Sequence, residues 1–161
     1  MKEKSRIWIT LLPVIAVMVV IFCFSAQPAD VSSKTSDGIA EKLMETVIPN
    51  YEKMSAESKL NIRDFVTYAV RKLGHLFEFF ALGFFTFLHA HNIGEKRRKK
   101  TKILWSAAFC LSYGASDEIH QIFVPGRFPR VTDVLIDTAG AVAGILVMSL
   151  IISIIHRRKN G

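Results

Sequence analysis

The sequence predicts an all-α integral membrane protein, a four-helix bundle with an additional outer amphipathic helix. Three observations carry that expectation. Half of the 161 residues are apolar, and the mean hydropathy of +0.30 is high for a soluble chain of this length. The apolar residues fall into runs long enough, or nearly so, to cross a bilayer core of about 30 Å. The basic residues fall between and outside those runs, in three short segments: Lys2, Lys4 and Arg6; Lys96, Arg97, Arg98, Lys99, Lys100 and Lys102; Arg157, Arg158 and Lys159.

Those twelve cations meet only Glu3 and Glu95, a net +10; nine cations against twelve acids leave the rest of the chain at −3. Positive charge alternating with apolar runs is the positive-inside pattern, so both termini and the loop 91–102 are expected on the cytoplasmic side. The overall +7 would point to nucleic acid only if the basic residues formed one face of a soluble domain. They do not, and no nucleic-acid partner is expected.

A single domain, 1–161, is expected, with spans at about 7–24, 65–90, 103–122 and 131–155. The first run, Ile7 to Phe24, is free of charge and follows a basic N-terminus. A cleavage site after Ala26 would put bulky Phe24 where a small residue is wanted, so the run reads as an uncleaved span that tolerates Pro13. The second span has a charge-free heart, Phe79 to Leu88, too short alone to cross; it has to include some of Arg71, Lys72, His75 and Glu78. The third is charge-free from Ile103 to Ser116 and needs part of Asp117, Glu118, His120 and Gln121. The fourth begins with Asp133 and Asp137.

In the outer loop 25–64, Ile39, Leu43, Val47 and Ile48 recur at helical spacing opposite Glu41, Lys42 and Glu45, an amphipathic helix ended by Pro49. Lying on the headgroups is the plainer placement for it; covering the polar residues as a lid is the other. Ser55 is a candidate N-cap leading into the second span. Cys23 and Cys110 fall at different depths and cannot pair; both are expected to be small buried side chains.

Alternating passes bring the start of span two, the end of span three and the start of span four to the same outer face. Arg71, His75 and Glu78 share one stripe of a helix, Asp117 and Gln121 are one turn apart with His120 beside them, and Asp133, Asp137, Gly140 and Gly144 share another stripe. Gly140 and Gly144 suit close helix packing. Ionisable groups at membrane depth point to function. However, Glu78, Asp117, Glu118, Asp133 and Asp137 nearly balance Arg71, Lys72, Arg127 and Arg130, and such a set can also tie helices together as a structural network. The same balance argues against an obligatory divalent metal. No cofactor is expected.

The turn Val124-Pro125-Gly126-Arg127-Phe128-Pro129-Arg130 is short and stiff, and places two arginines above the acidic helix ends. They could pair with Asp117 or Asp133, or with an anionic headgroup; the residues alone leave both open.

Phe24-Ser25-Ala26-Gln27-Pro28 with its later serines, Arg71-Lys72 through His75 to Glu78, Asp117-Glu118-Ile119-His120-Gln121 with Pro125-Gly126-Arg127, and Asp133 through Asp137 to Gly140 and Gly144 together resemble the VanZ-like family over roughly residues 20 to 150. The resemblance implies a small multi-pass protein of the bacterial plasma membrane, in a family whose founding member is linked to low-level resistance to the lipoglycopeptide teicoplanin. It implies no mechanism, and fold likeness alone licenses none.

Three functions compete. In the leading one, an outer polar pocket binds a membrane lipid, a lipoglycopeptide or a lipid-linked envelope precursor; Arg71, Lys72, Gln121, Arg127 and Arg130 would hold the anion, and Glu118, Asp133 and Asp137 would form the surrounding network. In the second, an enzyme acts on a lipid-linked substrate, with catalytic candidates His75, Glu78, Asp117 and His120 and only Ser25 or Ser116 as nucleophile. The third is proton-coupled transport. Oligomeric state is left open.

Overall fold

The computed structural model describes residues 3–93 and 97–160. Lys2, Glu95 and Lys96 of the basic segments lie outside these residues. The described chain is all-helical: α1 (Glu3–Ser25), α2 (Ala29–Val47), a short 3₁₀ turn (Tyr51–Lys53), α3 (Ala56–Ile93), α4 (Lys99–Gln121) and α5 (Val131–Asn160).

Three of these helices are long and apolar enough to cross a membrane, over Arg6–Ser25, Ala56–Ile93 and Val131–Lys159. Trp8, Leu12, Val19 and Phe22 on α1 and Leu135, Leu146 and Leu150 on α5 remain exposed. So much uncovered apolar surface on two helices fits lipid rather than water. By the same measure α4 is not apolar enough, because Lys99, Lys100 and Lys102 begin it and Asp117 and Glu118 end it.

The Ser55 hydroxyl accepts the Ser58 backbone N–H at 3.3 Å, the expected N-cap, so α3 starts nine residues before the apolar run and stands out beyond it. Helix α1 continues through Pro13. At its N-terminal end, α1 is joined to the end of α3: Thr10 shares a hydrogen bond with His89 Nδ1 at 2.9 Å, and Arg6 donates to the Asn92 carbonyl at 2.9 Å.

The closest packing is between α3 and α5. A Cβ at Gly140 would run into the Leu76 carbonyl, and one at Gly144 into the Phe80 carbonyl. The two backbones touch there with no side chain between them, which is what small residues at helix interfaces allow. Phe79, Leu82, Cys110 and Ala141 close the core around this contact with Val14 and Ile21 of α1.

Helix α2 packs on α3 through a face other than the apolar stripe read from the sequence. Ala40 and Met44 are buried with Tyr51, against Ile62, Val66 and Val70 of α3. Asp37 adds an ion pair with Arg63 and accepts the Thr67 hydroxyl, at 3.2 and 2.9 Å. Ile39, Leu43 and Val47, the stripe evident in the sequence, stay exposed on the flank. The face that packs on the protein is Ser36, Ala40 and Met44, two of them small residues that a search for large apolar side chains passes over. Cys23 corrects the expectation that both cysteines are buried: Cys110 is buried, but Cys23 is exposed, because the face of α1 that packs inward at this level carries Ile21 and Ser25.

Candidate functional site

The end of α1, the middle of α3, the end of α4 and the start of α5 meet in one region, with α2 packed against α3 beside them. The three charged stripes read from the sequence are brought together there. Their internal pairing decides what the site can do.

Most of the acids are engaged with one another's neighbours. Asp117, buried on the inner side of α4, accepts from the Ser25 hydroxyl at 2.7 Å and from Gln121 Nε2 at 2.9 Å, both at Oδ2. Gln121 also reaches Ser25 at 3.4 Å. Asp133 is held by Lys72, whose ammonium also lies 5.5 Å from the centre of the Tyr68 ring. Glu118 accepts the Arg130 backbone N–H at 2.9 Å. The Arg130 contribution is therefore made by its main chain, which fixes the start of α5. Asp137 is 2 % exposed, beside Gly114, and one of its oxygens has no hydrogen-bond partner.

The arginines are engaged differently. Arg71 donates from Nη2 to the Ser33 hydroxyl of α2 at 2.7 Å, and its buried Nε has no partner. Arg127 donates from Nε to the Gln27 carbonyl and from Nη2 to the Phe24 carbonyl, each at 3.2 Å. That clamp ties the 122–130 turn to the end of α1, with the Ala29 N–H donating to the Pro125 carbonyl at 3.1 Å. Gly126 takes a φ of +74° in this turn, a left-handed conformation that glycine adopts without strain. Neither Arg127 nor Arg130, the two arginines of this turn, is ion-paired to Asp117 or Asp133, the protein partners that the sequence left open; Asp133 pairs with Lys72 instead. Burial and then the charge of Arg71 push the Arg127 guanidinium below its ordinary range, with Asp117, Glu118 and Asp133 acting more weakly the other way.

Two adjoining cavities of about 240 and 170 Å³ share Arg71, His75 and Arg127 in their walls. The larger lies under α2, with Ser32, Ser36 and Ile39 as its roof and Glu78 in its floor. The smaller opens beside Lys72, Gln121, Phe128 and Arg130. A guanidinium offers a planar fork matched to carboxylate or phosphate oxygens, and the two on this shared wall are in no ion pair among the described residues, although Glu78 lines the larger cavity and Asp133 the smaller.

The catalytic candidates are close but not connected as an acid–base relay. His75 Nδ1 stands 3.9 Å from Glu78 Oε2. His120 stacks on Phe22 with ring centroids 4.6 Å apart, and its Nδ1 has no partner. Ser25, one of two nucleophile candidates, donates to Asp117 rather than to a histidine. Ser116 is exposed and bonded to the Tyr113 carbonyl at 2.7 Å. Among the described residues no three of His, Cys, Asp and Glu converge as metal ligands.

Ser25, Ser33 and Gln27 are the site residues that charge patterning missed. The only signal for them was the Phe24-Ser25-Ala26-Gln27-Pro28 string with its later serines, which stands out as a pattern but contains no charge.

In comparison with known proteins, the model of the family described as VanZ/LLP1 matches residues 10–152. No curated protein and no solved structure matches the chain.

Proposed function

The chain belongs to the VanZ/LLP1 family, and from that premise we propose that it crosses the bacterial plasma membrane four times and binds an anionic amphiphile at its outer leaflet. Both termini and the basic loop 91–102 then lie in the cytoplasm. Helix α4 is the fourth crossing; its flanking charges sit at the two ends, where lysines reach the headgroups and the acids meet partners from other helices.

The observation that supports the binding reading is the division of labour among the charges. Lys72, Ser25, Gln121 and the Arg130 N–H occupy Asp133, Asp117 and Glu118, whereas Arg71 and Arg127 face shared cavities with only hydroxyl and carbonyl partners. The ligand class is a headgroup carrying phosphate or carboxylate: a membrane lipid, a lipid-linked envelope precursor or a lipoglycopeptide. Capturing such a molecule at the outer leaflet would lower susceptibility to teicoplanin-type antibiotics.

The test is expression in a susceptible host. Arg127→Ala and Arg71→Ala are expected to reach the membrane at wild-type levels and to lose any protection against teicoplanin that the wild type confers. Full protection by both well-expressed variants would remove the two guanidiniums from the account.

A further inference from the structure

We propose that the opposite end of the helix bundle carries a second site, which holds the phosphate of an anionic phospholipid. A cavity of about 420 Å³ opens there between the end of α3, the start of α4 and the end of α5. Arg97, Lys99, Lys102 and Arg157 line its polar side, and Phe87 and Ile152 its apolar side. No carboxylate lines it among the described residues.

Lys102 is the residue that asks for a ligand. It is 6 % exposed, and among the described residues its ammonium reaches the His91 carbonyl alone, at a long 3.5 Å. That contact engages at most one of three donors. A buried cation is costly unless an anion or several acceptors replace its water. Lys99 next to it donates to the Ser153 hydroxyl at 2.9 Å, so the two lysines and the exposed Arg97 and Arg157 present one positive concavity.

The lining favours a lipid over a free anion. Phe87 and Ile152 put an apolar wall directly beside the cations, and Ile151, Ile154 and Ile155 continue an exposed apolar surface along α5 from the same end. A phospholipid matches both halves, with its phosphate among the cations and its acyl chains along α5. Basic pockets between spanning helices bind headgroups in this way. The site is separate from the outer cavities and stands whether or not those bind a ligand.

Native mass spectrometry of the full chain in detergent tests this, with phosphatidylglycerol and phosphatidylcholine as probes. Phosphatidylglycerol is expected to be retained and phosphatidylcholine not, with retention falling as salt rises. Lys102→Met and Arg157→Gln are each expected to weaken phosphatidylglycerol binding about tenfold. Arg157 is exposed, so its variant keeps the test decisive if Lys102→Met does not fold. Wild-type retention in a folded Lys102→Met or in Arg157→Gln would overturn the site. Thermal stabilisation of the wild type by inorganic phosphate equal to that by phosphatidylglycerol would overturn its assignment to a lipid.

Discussion

Lys72 of α3 and Asp133 at the start of α5 form an ion pair 2.5 Å long, with about a fifth of each side chain still exposed (17 % and 21 %). Both partners line the smaller cavity beside Arg71 and Arg127, and the pair neutralises Asp133 there. Separating the partners is expected to harm folding more than removing both. Lys72→Met and Asp133→Asn should each cost about 1–3 kcal/mol, and the double variant less than their sum. Thermal unfolding of the four proteins in detergent measures the coupling.

Asp117 accepts two hydrogen bonds at a single oxygen. Replacing it with Asn leaves an amide oxygen that can still accept from Ser25 and Gln121 but removes the charge that strengthens both bonds, so Asp117→Asn should lose about 1–2 kcal/mol. Ser25→Ala removes one donor and should cost about 1 kcal/mol. Ser25→Ala is also expected to keep whatever antibiotic protection the wild type gives, since its hydroxyl serves the network. Complete loss of protection in a stable Ser25→Ala protein would instead make Ser25 a reacting group.

The glycines divide into two kinds. Gly144→Ala drives a methyl into the Phe80 carbonyl and Gly140→Ala into that of Leu76; each should destabilise by about 3 kcal/mol or fail to accumulate. Gly74→Ala, on the same helix as Leu76, meets nothing within 4 Å and should gain about 0.5–1 kcal/mol from helix propensity. Expression level and detergent melting temperature separate the three.

The proposed topology is testable by chemical access. In a chain lacking Cys23 and Cys110, Lys53→Cys should react with a membrane-impermeant maleimide in intact cells, and Lys100→Cys only after the membrane is opened. The reverse pattern would place α2 in the cytoplasm and invert the proposed orientation.

The long helices and the convergence of charge were legible because both follow from periodicity and from the count of passes. Arg71, His75 and Glu78 lie on one cavity, and Asp117 bonds to Gln121, as one-turn spacing requires. Partner choice was not legible. Lys72 and Arg71 are neighbours in sequence, but a 100° rotation sends the first to Asp133 on α5 and the second to Ser33 on α2. Helix α2 was half legible: its exposed apolar stripe is visible in the sequence, but its packing face, Ser36, Ala40 and Met44, mixes small and large residues whose burial depends on what lies opposite. The basic cavity at the other end was hidden because a run of cations reads as a solvated loop, and nothing in the run says that Lys102 turns inward.

The contact of glycine with carbonyl between α3 and α5 has a mechanical consequence. With no cushion of side chains, neither helix can slide or roll against the other without a collision of main chains. The two form a fixed keel. Any rearrangement that admits a bulky guest at the outer end therefore falls to what hangs on that keel: α2, the end of α1 and the Pro-Gly turn that clasps it.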